Sequence, residues 1–470
     1  MKNSFLLILD FFSNKNLHNQ TKEEFFERGI QDYNSQNFRS ALANYTKAIA
    51  LDPNYALAYF YRGLAKKELQ DFHGAITDYS HTIVLEPSYG QSFYNRACLK
   101  SELEDYSAAI IDFNKAIAII PNFLEGYNRR GLVKNVLEDY LGAIEDFNEA
   151  IKIDPNYVDG YNNRGIAKEN LQDFQGALTD FSSAISIDSS HALAYFNSGN
   201  INLKFEDFTK AIVNYNFAIA IDQNYVDAYY CRGIANHKIA NYQTAIVDFN
   251  KVITIKPNDV SAYFNRGNAK QNLSDYHGAI ADYNKIIRID PNHANAYNNR
   301  GLAKGGLKMY QEEISDYTKA IVIDSDYAAA FNNRGIASYN LQNYKAAISD
   351  YSSAIGIDAE DAYAYFNRGI AKEEMQDLEE ALEDYTKAIA IIPKFIKAFH
   401  NRGLVKNRLQ DYEGAILDFD KAISINPKYA QAYYNRGVSK NNLQDSSAVT
   451  DFSKAIALDP KFADLYNNRV

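Results

Sequence analysis

Residues 158–191 read VDGYNNRGIAKENLQDFQGALTDFSSAISIDSSH, and this stretch returns along the 470-residue chain with a period of 34. Counting Val158 as position 1 puts Tyr161 at position 4, Arg164 at 7, Gly165 at 8, Phe174 at 17, Ala177 at 20, Phe181 at 24 and Ile185 at 28. Thirteen copies begin at Lys22, Ala56, Gly90, Leu124, Val158, Ala192, Val226, Val260, Ala294, Ala328, Ala362, Ile396 and Ala430. Positions 4 and 24 are Phe or Tyr in all thirteen, position 28 is Ile in all thirteen, and position 8 is Gly in twelve, with Ala97 the exception. Eight of the nine prolines share position 32, and Pro460 comes one residue early. A unit of this length is one supersecondary element that cannot bury its apolar face alone, so copies must stack to make a core.

The apolar spacing inside the unit is helical. Ala177, Leu178, Phe181, Ala184, Ile185 and Ile187 form one stripe at intervals of three and four, the signature of an amphipathic helix. Tyr161 and Gly165 begin a similar stripe on an earlier helix. Asp173 precedes the second stripe and suits a helix start. Proline at position 32 is expected to end the second helix and launch the next. Small residues at positions 8, 20 and 27 let the paired helices approach. The sequence predicts an all-α fold of antiparallel helix pairs.

The pattern Tyr/Phe-x-x-Arg-Gly, then Ala, an aromatic, Ala and Pro, resembles the tetratricopeptide repeat. The resemblance covers residues 22–462, with residues 1–21 as an N-terminal extension and 463–470 as a partial terminal helix. It implies an α-solenoid, a right-handed superhelix of helix pairs whose first helices line a concave groove that holds peptide segments of partners. One departure is systematic: position 7, usually aliphatic in the family, is Arg in twelve repeats.

Two of these recurring polar positions ask for a physical reason. Arg at position 7 coincides with Asp at position 23, as in Arg62 and Asp78, Arg164 and Asp180, and Arg334 and Asp350. The sixth repeat loses both charges together, with Ser198 and Asn214. An Arg on a packing face needs a partner, so an Arg–Asp bridge joining the two helices is expected. Lys at position 11, such as Lys168, is expected to snorkel outward.

Asparagine at position 6 is the candidate for binding: Asn163, Asn197, and then Asn265, Asn299, Asn333, Asn367, Asn401 and Asn435 in six consecutive repeats. In the repeats of the O-linked N-acetylglucosamine transferase, a family member, an asparagine ladder clamps a peptide backbone, and the resemblance implies a groove-facing place for these residues. An amide side chain both donates and accepts, so it can pair with a peptide N–H and C=O together. Inheritance of a tolerated polar residue through duplication is the competing reading, and both stay open. Position-5 residues, among them Phe264, Phe366 and Tyr434, are expected by the same resemblance to face the groove and supply side-chain pockets. The Lys and Asn pair with which some family members clamp a carboxylate terminus is absent at positions 5 and 9.

Composition narrows the partner. A net charge of −10, from 49 Lys and Arg against 59 Asp and Glu, weighs against nucleic acid. Of the 64 Tyr and Phe residues, 37 fill positions 4, 17 and 24, so the aromatic richness is packing before it is a stacking platform for bases or sugars. Cys98 and Cys231 form no disulfide framework and the eight histidines no metal spacing. No phosphate-binding loop occurs and no segment outside the repeats is long enough for a catalytic domain. The expectation is a non-enzymatic scaffold without cofactor that captures extended peptide segments. Self-association through the outer face or ends, and groove binding of carbohydrate or nucleic acid, are the alternatives. The apolar run Phe5–Leu9 is too short to span a membrane; a cytoplasmic location is expected, with export the alternative if that run is a leader.

Two irregularities stand out. The ninth repeat carries Gly305-Gly306 in its first helix and Glu313 where the other repeats have Ala, which predicts a soft joint near residues 301–326. The thirteenth lacks one residue between Asp445 and Ala448, the irregularity of a terminal cap.

Overall fold

A computed structural model describes residues 21–463 and divides into two compact units, Met1–Ala228 and Tyr229–Val470. The expectations for residues 1–20 and for the partial helix through 464–470 lie outside the described residues. Every described element is a helix, and each of the first twelve repeats supplies two, positions 1–13 and 17–30, as in Val158–Asn170 and Phe174–Ile187; the second helix of the thirteenth is the shorter Ala448–Leu458. Each unit is an all-α solenoid of helices packed on their neighbours in sequence, and most first helices also touch across neighbouring repeats. No helix among the described residues is long and apolar enough to cross a membrane.

The turn inside the repeat shows why the pair is antiparallel and tight. Gln172 sits in the left-handed region at φ 64°, its N–H bonds Glu169 O, and the Asp173 N–H reaches back to Lys168 O at 2.9 Å. These two bonds close the first helix by the Schellman arrangement. The Asp173 carboxylate then accepts from Gly176 N at 3.0 Å and caps the second helix. Asp173 thus ends one helix and starts the other. The left-handed residue recurs in all thirteen repeats, from Gln36 to Gln444, and is never glycine.

Between repeats the punctuation differs from the expectation. The four repeats that carry Ser189, Gln223, Ser325 and Ala359 in place of proline keep the same helix boundaries. In each, an aspartate one residue earlier accepts the backbone N–H two residues on: Asp188 from Ser190, Asp222 from Asn224, Asp324 from Asp326 and Asp358 from Glu360, at 2.8–3.1 Å. This Asx turn reverses the chain without proline's fixed φ, so aspartate suffices where proline is missing, while Ile120-Pro121 and Ile392-Pro393 turn without aspartate.

The core follows the small-and-large alternation. The position-24 ring lies against position 8, where a Cβ added to Gly165 would meet Phe181 Cε1 at 2.6 Å, and to Gly335 would meet Tyr351 Cε1 at 2.6 Å. Only a missing side chain permits that approach. Ala177 and Ala184 flank the ring, both fully buried. The first repeat breaks the pattern on one face. Its positions 3 and 10 hold Glu24 and Gln31, both exposed, where later repeats bury residues such as Ala58 and Ala65. A polar face there suits the leading end of a stack.

Candidate functional site

The recurring arginine is a staple across three helices. Arg164 Nε and Nη2 donate to Asp180 Oδ2 and Oδ1 at 2.9 and 2.6 Å, which joins the two helices of its own repeat. Its Nη1 reaches Asn148 Oδ1 at 2.6 Å, on the second helix of the preceding repeat. The guanidinium also lies 5.3 Å from the Tyr161 ring centroid, within cation–π range. The same bidentate pair occurs at Arg62–Asp78 and Arg334–Asp350, and the backward arm reaches Thr46 and Thr318. In the sixth repeat the neutral Ser198 is buried and Asn202 Nδ2 donates to its carbonyl at 2.8 Å.

Lysine at position 11 does not snorkel outward. Lys168 Nζ lies 2.8 Å from Asp180 Oδ2 and is mostly buried, and Lys66, Lys100, Lys134, Lys270, Lys304, Lys372, Lys406 and Lys440 repeat the contact. The aspartate therefore carries two cations. A buried carboxylate lacks water on several lone pairs, and the second cation helps to replace it. The difference shows electrostatically. Burial pulls the Asp451 carboxyl up, but Arg436 and Lys440 together hold it below the usual range. At Asp248, where position 11 is Asn236 rather than Lys, burial wins over Arg232 and the carboxyl is pushed up.

The position-6 asparagines also bond between repeats. Asn163 Nδ2 donates to Asn128 Oδ1, Asn197 to Asn162, Asn333 to Asn298 and Asn367 to Asn332, all at 3.0–3.2 Å. Asn265 donates to the Tyr230 hydroxyl at 3.0 Å, and Asn299 to Asn268 Oδ1 at 2.9 Å. The partner is the position-5 side chain of the preceding repeat, except at Asn299, where position 5 is Phe264 and position 9 takes its place. Asn197 is buried, whereas Asn163 in the first unit and Asn265, Asn299, Asn333, Asn367, Asn401 and Asn435 in the second are half-buried. At Asn333 and Asn367 the donation uses one N–H and leaves the amide a second donor, with acceptor capacity on its oxygen, whereas Asn265 spends its other N–H on Ser261 O at 2.9 Å and the Asn299 oxygen accepts from Asn298.

Position 5 is largely taken by packing. Phe366 is buried against Tyr385 and Phe395, and Tyr434 against Phe452 and Phe462. Phe264 is half-buried, with its ring against Tyr283 and His293. These rings form the seams between neighbouring repeats.

The irregular ninth repeat is internally matched. The Glu313 side chain is buried, accepts the Tyr317 hydroxyl at 2.9 Å, and occupies the space that Gly305 leaves, since a Cβ there would lie 2.5 Å from its Oε1. Gly306 likewise lies against the Tyr276 ring. Burial pushes the Glu313 carboxyl up. The two glycines are thus places of contact.

Three models of the tetratricopeptide repeat match the chain. One matches residues 260–293 and 362–395, a second residues 31–70, 137–172, 206–239 and 406–442, and a third residues 90–123, 294–327 and 328–361. No curated protein sequence matches it. Among solved structures, MamA is 29% identical over 35% of this chain and 96% of its own, with a TM-score of 0.34. YrrB, a TPR protein with an unusual peptide-binding site, is 27% identical over 39% of this chain and 95% of its own, at a TM-score of 0.35. Yeast Tom70 is 17% identical over 93% of this chain and 92% of its own, at 0.40. The segments of the first and third models coincide with the copies that begin at Val260, Ala362, Gly90, Ala294 and Ala328, and the chain belongs to the tetratricopeptide repeat family.

Proposed function

We propose that the chain is a non-enzymatic protein-interaction scaffold that captures extended segments of partner proteins along the face of the first helices bearing the position-6 asparagines. Membership of the family supports the general reading. The observation that carries the specific one is the run Asn265, Asn299, Asn333, Asn367, Asn401 and Asn435: six half-buried amides at a fixed period within one unit. Asn333 and Asn367 are each oriented by a bond that consumes only one donor. Amides held this way can meet successive peptide groups of an extended chain without selecting its side chains.

Those same bonds favour a second reading, in which the amides lock repeat to repeat and bind nothing. Capture from a random peptide library by wild type and by the triple variant Asn299→Ala, Asn333→Ala, Asn367→Ala separates the two, with circular dichroism to verify folding. Loss of capture by a folded variant supports the clamp. Equal capture with a lower denaturation midpoint supports the lock.

A further inference from the structure

The first unit holds a cavity of about 210 Å³ that the ladder does not explain. Its wall comes from the first helices Ala56–Glu68, Gly90–Glu102 and Leu124–Val136, with Phe113 from the second helix Tyr106–Ile119. The contributing positions are mostly 6, 9, 12 and 13, the helix face on which the position-6 residues stand, since intervals of three and four share one face. Asn95 keeps the ladder residue, but the next repeat replaces it with Arg129.

Charge sets the chemistry of this cavity. Arg129 and Lys67 both line it, and neither makes an ion pair among the described residues. Arg129 is exposed and Lys67 half-buried. Glu102 lines the same wall, so two cations stand against one carboxylate on a protein of net charge −10. Burial pushes the Cys98 thiol on the cavity wall up. Asn95 and Ser101 add neutral hydrogen-bonding groups, and Leu132 and Val136 an apolar edge. An unpaired guanidinium beside neutral donors is the arrangement that recognises a carboxylate.

We propose that this cavity is a specificity pocket for an acidic side chain, Asp or Glu, of an extended protein segment, with Arg129 as its principal contact and Lys67 as its second cation. The proposal rests on the groove reading: asparagines of the same unit, Asn95 and Asn163, hold the backbone, and this pocket chooses one side chain.

The test uses the full chain and a random peptide library sequenced after capture by wild type, Arg129→Gln, and the triple ladder variant. Wild type is expected to enrich Asp and Glu at one peptide position. Arg129→Gln is expected to lower that enrichment by up to about fivefold, the value of one solvent-accessible ion pair, while still capturing peptides. As a second readout, a captured acidic peptide should slow alkylation of Cys98, followed by mass spectrometry, in wild type and less so in Arg129→Gln. Capture with no acidic preference, or a preference that Arg129→Gln leaves intact, overturns the pocket and leaves the groove standing. No capture by folded wild type overturns both.

Discussion

Removing one arginine should cost more in the tenth repeat than in the fifth, although the two staples look alike. Arg334 holds Asp350 by two bonds of 3.0 and 2.7 Å, and position 11 of that repeat is Ser338, so no lysine shares the carboxylate. Arg164→Ala leaves Lys168 at 2.8 Å from Asp180; Arg334→Ala leaves Asp350 with its side chain only 10% exposed and no cation. Stranding a buried charge costs about 3 kcal/mol or more. Retaining one of two cations should reduce the loss to about half, ~1.5 kcal/mol. The sixth repeat shows the neutral solution, so Arg334→Ser with Asp350→Asn should cost less than Arg334→Ala alone. Solenoids do not unfold in one step, so the assay is native-state hydrogen exchange read at helices Ala328–Asn340 and Tyr344–Ile357 against Val158–Asn170 and Phe174–Ile187. Equal protection losses for Arg334→Ala and Arg164→Ala, or strictly additive costs in the cycle, would refute the shared-carboxylate account.

Three further outcomes follow from the geometry. Gly335→Ala should destabilise by about 1–3 kcal/mol, because its Cβ would lie 2.6 Å from Tyr351 Cε1, whereas Gly356→Ala, with nothing within 4 Å, should stabilise by about 0.5 kcal/mol; paired denaturation midpoints check both signs. Gln172→Gly should raise local stability by about 0.5–1 kcal/mol, since φ 64° strains a side chain and not a glycine, and slower exchange of the following helix would register it. Glu313→Gln should stabilise by about 1 kcal/mol at neutral pH and by less at mildly acidic pH. Burial raises the folded-state value, so wild type keeps the full contribution of this site below the unfolded value and loses it as pH rises through the folded one. A gain independent of pH would reject that origin.

The architecture was legible because its determinants repeat. Position 8 as Gly and position 24 as a ring appear in nearly every copy, and their contact is what sets the helix spacing. Arg at position 7 with Asp at 23 could be paired because the sixth repeat loses both. The arginine's backward arm was missed, although position 25 carries a signal: it holds Thr46, Ser80, Asn114, Asn148, Thr318 and Asp420, always a short polar group. Lys168 was sent outward because a helix wheel does not show that a carboxylate with one cation has lone pairs to spare. The bond from Asn333 to Asn298 spans 35 residues, one more than the period, and reading one copy at a time hides it. Nothing local marks Gln172 as left-handed, because the two helices it joins impose that conformation.

The arginine staple has a consequence for how such a chain can change length. Where the staple is present, the guanidinium reaches 15 or 16 residues forward and 16 back, so its bonds close within a single period on either side. An in-frame crossover between two copies that both carry the arginine and the aspartate would regenerate each donor with its acceptor and leave no charge orphaned. Copy number can then drift through recombination at little energetic cost, except at the copies built differently: the first with Asn44 in place of aspartate and the exposed Glu24 and Gln31, the sixth with Ser198 and Asn214, the ninth with Glu313 matched to Gly305, and the shortened thirteenth.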